Sequence, residues 1–162
     1  MKMIRLAAAL AAATAAGCTE PRALSRAAPP APALEARLEL SDSLPAAGSI
    51  VTVTARLVGS NHDRAASYTY RLSYDSTSLV YLGDVAIADG GTRLTNPAPG
   101  LLRSAGIRPG GFGDSPLAEY RFEVKSAAAL RSMILTMDEL HDADRSDATA
   151  KLTVRPPVVV RP

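Results

Sequence analysis

Between residues 68 and 74 the side chains alternate. Tyr68, Tyr70, Leu72 and Tyr74 fall on one face, and Thr69, Arg71 and Ser73 on the other. A period of two is the signature of a half-buried strand. Asp75, Ser76 and Thr77 follow; short polar side chains of this kind bond their own backbone in a corner. An apolar run then resumes at Leu79. The same alternation predicts a strand over residues 34–40, where Leu34, Ala36, Leu38 and Leu40 interleave with Glu35, Arg37 and Glu39. It predicts another over the β-branched residues 50–58. Residues 101–107 give a short strand. Residues 117–125 place Ala118, Tyr120, Phe122 and Val124 inside, and residues 131–137 and 149–154 supply the last two. Residues 41–49, 59–64, 88–99 and 108–116 carry the glycine, proline and polar signals of loops. Helical periodicity is nowhere sustained, beyond a single turn near residues 126–130. Eight or nine short antiparallel strands at this spacing predict an all-β sandwich.

Composition narrows the picture. The chain has 162 residues, no Trp, two Phe and five Tyr, so tyrosine supplies most of the aromatic core. Its 18 basic and 16 acidic residues leave +2. Lys2 and Arg5 lie in a leader segment, so the remainder is near neutral. That argues against nucleic acid as a partner, which needs a concentrated basic surface. One cysteine permits no intrachain disulfide.

The leader sets the compartment. Residues 1–5 are basic and residues 6–16 are small or apolar, the layout of an export signal. That run is too short to span a bilayer. It ends in Ala15-Ala16-Gly17-Cys18, which resembles the lipobox of bacterial lipoproteins. The resemblance implies that residues 1–17 are removed and that Cys18 carries a lipid anchor to a membrane. Ordinary cleavage after Ala16 or Gly17 is the alternative. Two or more acyl chains give stable attachment. Thr19 follows the cysteine, and the expected location is the cell envelope, at the outer membrane. Residues 18–33, rich in Pro and Ala, read as an extended spacer reaching about 40 Å. The folded domain is expected over residues 34–155, with a Pro-bounded tail at 156–162 that either caps an edge strand or hangs free.

Three segments carry a family likeness. Gly48-Ser49-Ile50-Val51-Thr52-Val53 opens the second strand, Tyr70-Arg71-Leu72-Ser73-Tyr74-Asp75 precedes Leu79, and residues 116–124 follow an L-A-x-Y-x-F-x-V pattern. In this spacing the chain resembles the cohesin-like domains and their carbohydrate-binding-module relatives, over residues 34–154. The resemblance implies a jelly-roll β-sandwich that binds a protein or glycan surface without catalysis. The partner is then an envelope protein met by docking or adhesion, or alternatively a polysaccharide.

Candidate chemistry elsewhere is thin. Phe112-Gly113-Asp114-Ser115 and Asp138-Glu139-Leu140-His141 look like the nucleophile and D-x-x-H blocks of GDS-type esterases. They stand too close together in the chain, without the alternating α/β context or oxyanion donors that such chemistry needs. A turn is the expected role of residues 113–116. Asp142, Asp144 and Asp147 lie in an acidic stretch that could wrap a structural calcium, which takes six to eight oxygens. The stretch lacks the glycine and the terminal glutamate of an EF-hand loop, and a solvated loop is the expectation. His62 and His141 are expected on surface loops, too few for a zinc site. The tyrosines are expected in the core rather than on a sugar-stacking platform. No other cofactor is indicated.

Overall fold

The computed structural model describes residues 33–160. Ten strands and three short 3-10 turns make two sheets packed face to face. The strands are β1 (Glu35–Leu40), β2 (Ile50–Val58), β3 (Ala65–Ser73), β4 (Leu79–Asp84), β5 (Thr92–Ala98), β6 (Leu101–Ile107), β7 (Ala118–Val124), β8 (Ile134–Asp142), β9 (Thr153–Val154) and β10 (Val158–Val159). One sheet runs β10-β1-β2-β7-β4, with β9 also on β1; the other runs β5-β6-β3-β8. All pairings are antiparallel except those of β9 and β10 with β1. The chain changes sheet repeatedly, as a jelly-roll sandwich does. The corner after β3 is one such change. The Ser78 hydroxyl, then the Thr77 hydroxyl and amide, donate to Asp75 and hold its carboxyl down at about 2. The chain then leaves the four-stranded sheet for β4 in the other.

Alternation delivers the core as expected. Ala36, Leu38, Val51, Val53, Tyr120 and Phe122 of one sheet meet Tyr68, Tyr70, Leu72 and Leu102 of the other, all essentially inaccessible. Each such large apolar side chain contributes about 1.5–3 kcal/mol by leaving water. The tyrosines bring polar tips into this interior, and those tips are paired. The Tyr70 and Tyr120 hydroxyls join the two sheets at 2.5 Å, and Tyr68 donates to the Leu117 carbonyl. Burial pushes all three phenols up, so they remain protonated donors. Gly106 faces Tyr68 across the β3–β6 ladder, and a Cβ there would lie 2.5 Å from the ring. Only glycine admits the tyrosine.

Three expectations change, and an open alternative at the tail is decided. Residues 88–99 are not all loop, because β5 occupies Thr92–Ala98. Pro97 lies within it, and β5 bonds only to β6, so an edge strand accommodates the missing amide. The strand expected over 131–137 starts later and runs on to Asp142, so the first part of the acidic stretch is strand, while Asp144 and Asp147 lie in the turn after it. Of residues 149–154 only Thr153–Val154 is strand; Thr149–Lys151 is a 3-10 turn. The tail does not hang free. Val158 and Val159 pair with Glu39 and Leu40, so the sheet extends past residue 155.

Candidate functional site

The two sheets present different outer faces. Strands β1, β2 and β7 of the larger sheet turn outward Glu35, Arg37, Glu39, Arg56, Glu119, Arg121 and Glu123. Those of β1 and β2 bond sideways, while on β7 Arg121 stands between Glu119 and Glu123. Glu39 accepts from Arg37 at 2.6 Å and from Arg56 at 3.1 Å, and Arg155 donates to Glu35 at 2.8 Å. Ile50 and Leu82 are exposed at the sheet's margins.

The outer face of the four-stranded sheet is built in rows by the register of its strands. Thr92, Ile107, Ser67 and His141 form one row; Leu94, Ala105, Thr69 and Glu139 the next; Asn96, Arg103, Arg71 and Thr136 the third; Ala98, Leu101, Ser73 and Ile134 the last. Small, hydroxyl and aliphatic side chains dominate. Leu94, Ile134 and Ile107 are 71%, 61% and 54% exposed. A shallow groove of 330 Å³ runs between Leu94, Ala105, Ile107 and Thr69. A second hollow of 510 Å³ continues past His141 towards Pro109 and Arg145.

A β-bulge shapes the charges here. The β3–β8 register slips between Thr69 and Tyr70, leaving Asp138 as the extra residue between Met137 and Glu139. Bulges re-aim side chains. Asp138 and Glu139 therefore both reach the outer face, and Asp138 accepts from Arg71 through two nitrogens, the shorter contact 2.7 Å. Edge strand β5 is held from inside. Arg93 bonds Asp89 at 2.6 and 2.7 Å and the carbonyls of Pro116 and Leu117, while its guanidinium lies 5.1 Å from the Phe112 ring centre. This bonding holds the Asp89 carboxyl well below the usual carboxylate range.

The residues singled out in the sequence do not converge on this face. Cys18 and the leader lie outside the described residues. Asp142, Asp144 and Asp147 are engaged in local turns. Asp144 accepts from Arg64 and Ser146, Asp147 from the Thr149 amide, and Asp142 from Ser146. Among the described residues no three His, Cys, Asp or Glu side chains are grouped as a metal ion requires. Ser115 lies by Arg108 at 3.4 Å, and no hydrogen bond joins it to a histidine. His141 belongs to the four-stranded face, whereas His62 bonds Asp114 at 3.0 Å and the Gly59 carbonyl at 2.7 Å. All seven aromatic rings are buried in the core or packed against it. Neither outer face therefore offers a ring for sugar stacking.

No protein-family profile matches the sequence, and no curated protein matches it. Solved structures do. The sixth cohesin of scaffoldin B from Acetivibrio cellulolyticus, determined in complex with a mutant Cel5 dockerin, has a TM-score of 0.58 at 19% identity, over 79% of this chain and 99% of that one. A type II cohesin from the cellulosome of the same organism gives 0.61 at 12% identity, over 79% and 95%. A non-cellulosomal cohesin from the archaeon Archaeoglobus fulgidus gives 0.59 at 18%, over 77% and 89%. Identity this low speaks to architecture alone, and the architecture is clear: the chain has a cohesin-like jelly-roll β-sandwich fold.

Proposed function

We propose that this chain is a non-enzymatic cell-envelope lipoprotein, anchored through Cys18, whose sandwich docks a protein partner through the outer face of the four-stranded sheet. One observation carries the docking reading. That face exposes Leu94, Ile107 and Ile134 on a rigid two-layer scaffold, in a setting of small and hydroxyl side chains with few charges. Leu94 and Ile107 are neighbours about one groove, with Ile134 at the far corner, and exposed apolar side chains so grouped and rimmed by polar residues mark a surface that another protein covers. The cohesins of similar fold support it, since several of them were solved in complex with dockerins. The inward packing of every aromatic ring favours a protein over a polysaccharide.

The anchor rests on the leader and on the small residues before Cys18. Labelling cells with a radioactive fatty acid should mark the wild-type chain and leave Cys18→Ser unlabelled. For docking, the full-length chain carrying Cys18→Ser is used to pull partners from envelope extract, beside a variant that adds Leu94→Asp and Ile107→Asp. A saturable protein band that the added charges abolish is the expected result. Retention of that band by the charged variant, or saturable binding to a polysaccharide array, would overturn it.

A further inference from the structure

The four-stranded face holds one cation that its own lattice leaves unanswered. Arg103 is exposed on β6, with Leu101 and Ala105 two residues either side on the same face. Directly across the ladders stand Asn96 on β5 and Arg71 on β3. The diagonal positions, Thr69, Ser73, Leu94 and Ala98, are all uncharged. Arg71 brings a second positive charge, but Asp138 neutralises it through the bulge. Among the described residues no hydrogen bond or ion pair engages the Arg103 guanidinium. Arg121 on the opposite sheet likewise makes no ion pair among these residues, but two carboxylates, Glu119 and Glu123, flank it on the same face of its own strand, whereas Arg103 has Leu101 and Ala105 there.

Covering Arg103 without answering it would remove a guanidinium from water and leave it unpaired, which costs more than an ordinary apolar contact returns. A partner that lays apolar side chains over Leu94 and Ala105 must also satisfy this charge. Resting on the docking reading above, we infer that the partner is a protein segment presenting a carboxylate to Arg103 beside an apolar side chain seated in the groove at Leu94 and Ala105. A guanidinium takes a carboxylate through two parallel hydrogen bonds, so this contact fixes register as well as charge. Complementary charge of this kind also discriminates against partners that lack it.

The test uses the full-length chain with Cys18→Ser as bait for a displayed library of random peptides, followed by equilibrium titration of the selected sequences. Selected peptides should carry Asp or Glu next to an apolar residue. Arg103→Ala should weaken them about tenfold to a hundredfold, the range for a hydrogen-bonded charge. Arg103→Glu should weaken them further, and replacing the peptide carboxylate with lysine should restore binding to Arg103→Glu. Arg103 is exposed, so thermal melts of these variants should match the parent. Peptides that lose binding with Leu94→Asp but ignore Arg103→Ala would overturn this inference and leave the docking face standing. Peptides indifferent to both substitutions, or a library that yields no binder, would overturn the docking reading and the inference with it.

Discussion

The two outer faces of this sandwich share a scaffold and differ in how their side chains are satisfied. On the larger sheet the charges of β1 and β2 answer one another. Glu39 lies between Arg37 and Arg56, and Arg155 reaches back to Glu35. A face of this kind gains little from a partner, because any newcomer must first break existing pairs. On the four-stranded sheet Arg71 and Asp138 are paired in this way; among the described residues Arg103 and Glu139 are not, and the positions around them are mostly aliphatic, small or hydroxyl-bearing. Inside, the two sheets are equally dry. The difference lies wholly outside, and it separates a surface complete in water from one that improves when covered.

The severest way to break the comparison is from within. Gly106→Ala puts a methyl group against Tyr68, whose hydroxyl is tied to Leu117 and whose ring cannot retreat. Urea unfolding should show a loss of about 3 kcal/mol, the upper range for overpacking, while Gly110→Ala, with open space around it, should be far milder. Next comes Arg93→Ala. It takes the guanidinium from Asp89 and the Pro116 carbonyl, with the Leu117 carbonyl keeping Tyr68, at a site where the acid and base side chains are only 10% and 13% exposed. A loss of about 2–3 kcal/mol is expected, with faster amide exchange along β5 and weaker partner binding, because β5 supplies Leu94 and Asn96. A smaller effect sharpens the contrast directly. Glu39→Ala, on the charge-paired face, should cost about 1 kcal/mol by freeing two arginines. Thr69→Ala, on the open face, should fall within about 0.5 kcal/mol of wild type.

The smallest effect is a pH dependence at the loops. Protonated His62 donates from both ring nitrogens, to Asp114 and to the Gly59 carbonyl, and neutral imidazole can donate from only one. The Asp114 contact first, then the Gly59 carbonyl, raise the His62 pKa above its ordinary value. A raised pKa means the stabilisation is complete below about 6.5 and fades as pH climbs through the folded value. Because Asp114 is almost fully exposed, screening keeps this to a few tenths of a kcal/mol. Melting temperatures between about pH 6 and pH 8 should fall slightly more for wild type than for Asp114→Asn.

Much of this fold is legible in the alternation of residues. Strands β2 and β6 sit where the pattern places them, β1 and β7 within one residue, and β3 starts three residues early, because each has one dry and one wet side. β5 is hidden by Asn96 and Pro97, which an edge strand tolerates and a central one would not. The end of β8 is hidden by its bulge, which breaks the period of two and sets adjacent carboxylates on one face. The candidate site is scarcely legible at all. It comes from four strands out of chain order, each contributing residues such as Thr69, Ala105 and Leu94 that carry no motif. Only the cross-strand register turns them into a surface, and only that register reveals that Arg103 has no carboxylate beside it.

The two ends of the described chain are bound into the same sheet. β1 lies between β2 on one side and, end to end, β9 and β10 on the other. Tension applied along β1, as a load on a tethered domain would apply it, strains the hydrogen bonds on both flanks at once rather than peeling them one by one. Strands loaded in shear fail together, so β9 and β10 act as a mechanical clasp on the first strand. Deleting residues 153–160 should therefore lower the rupture force in single-molecule pulling, with β1 the first element to leave.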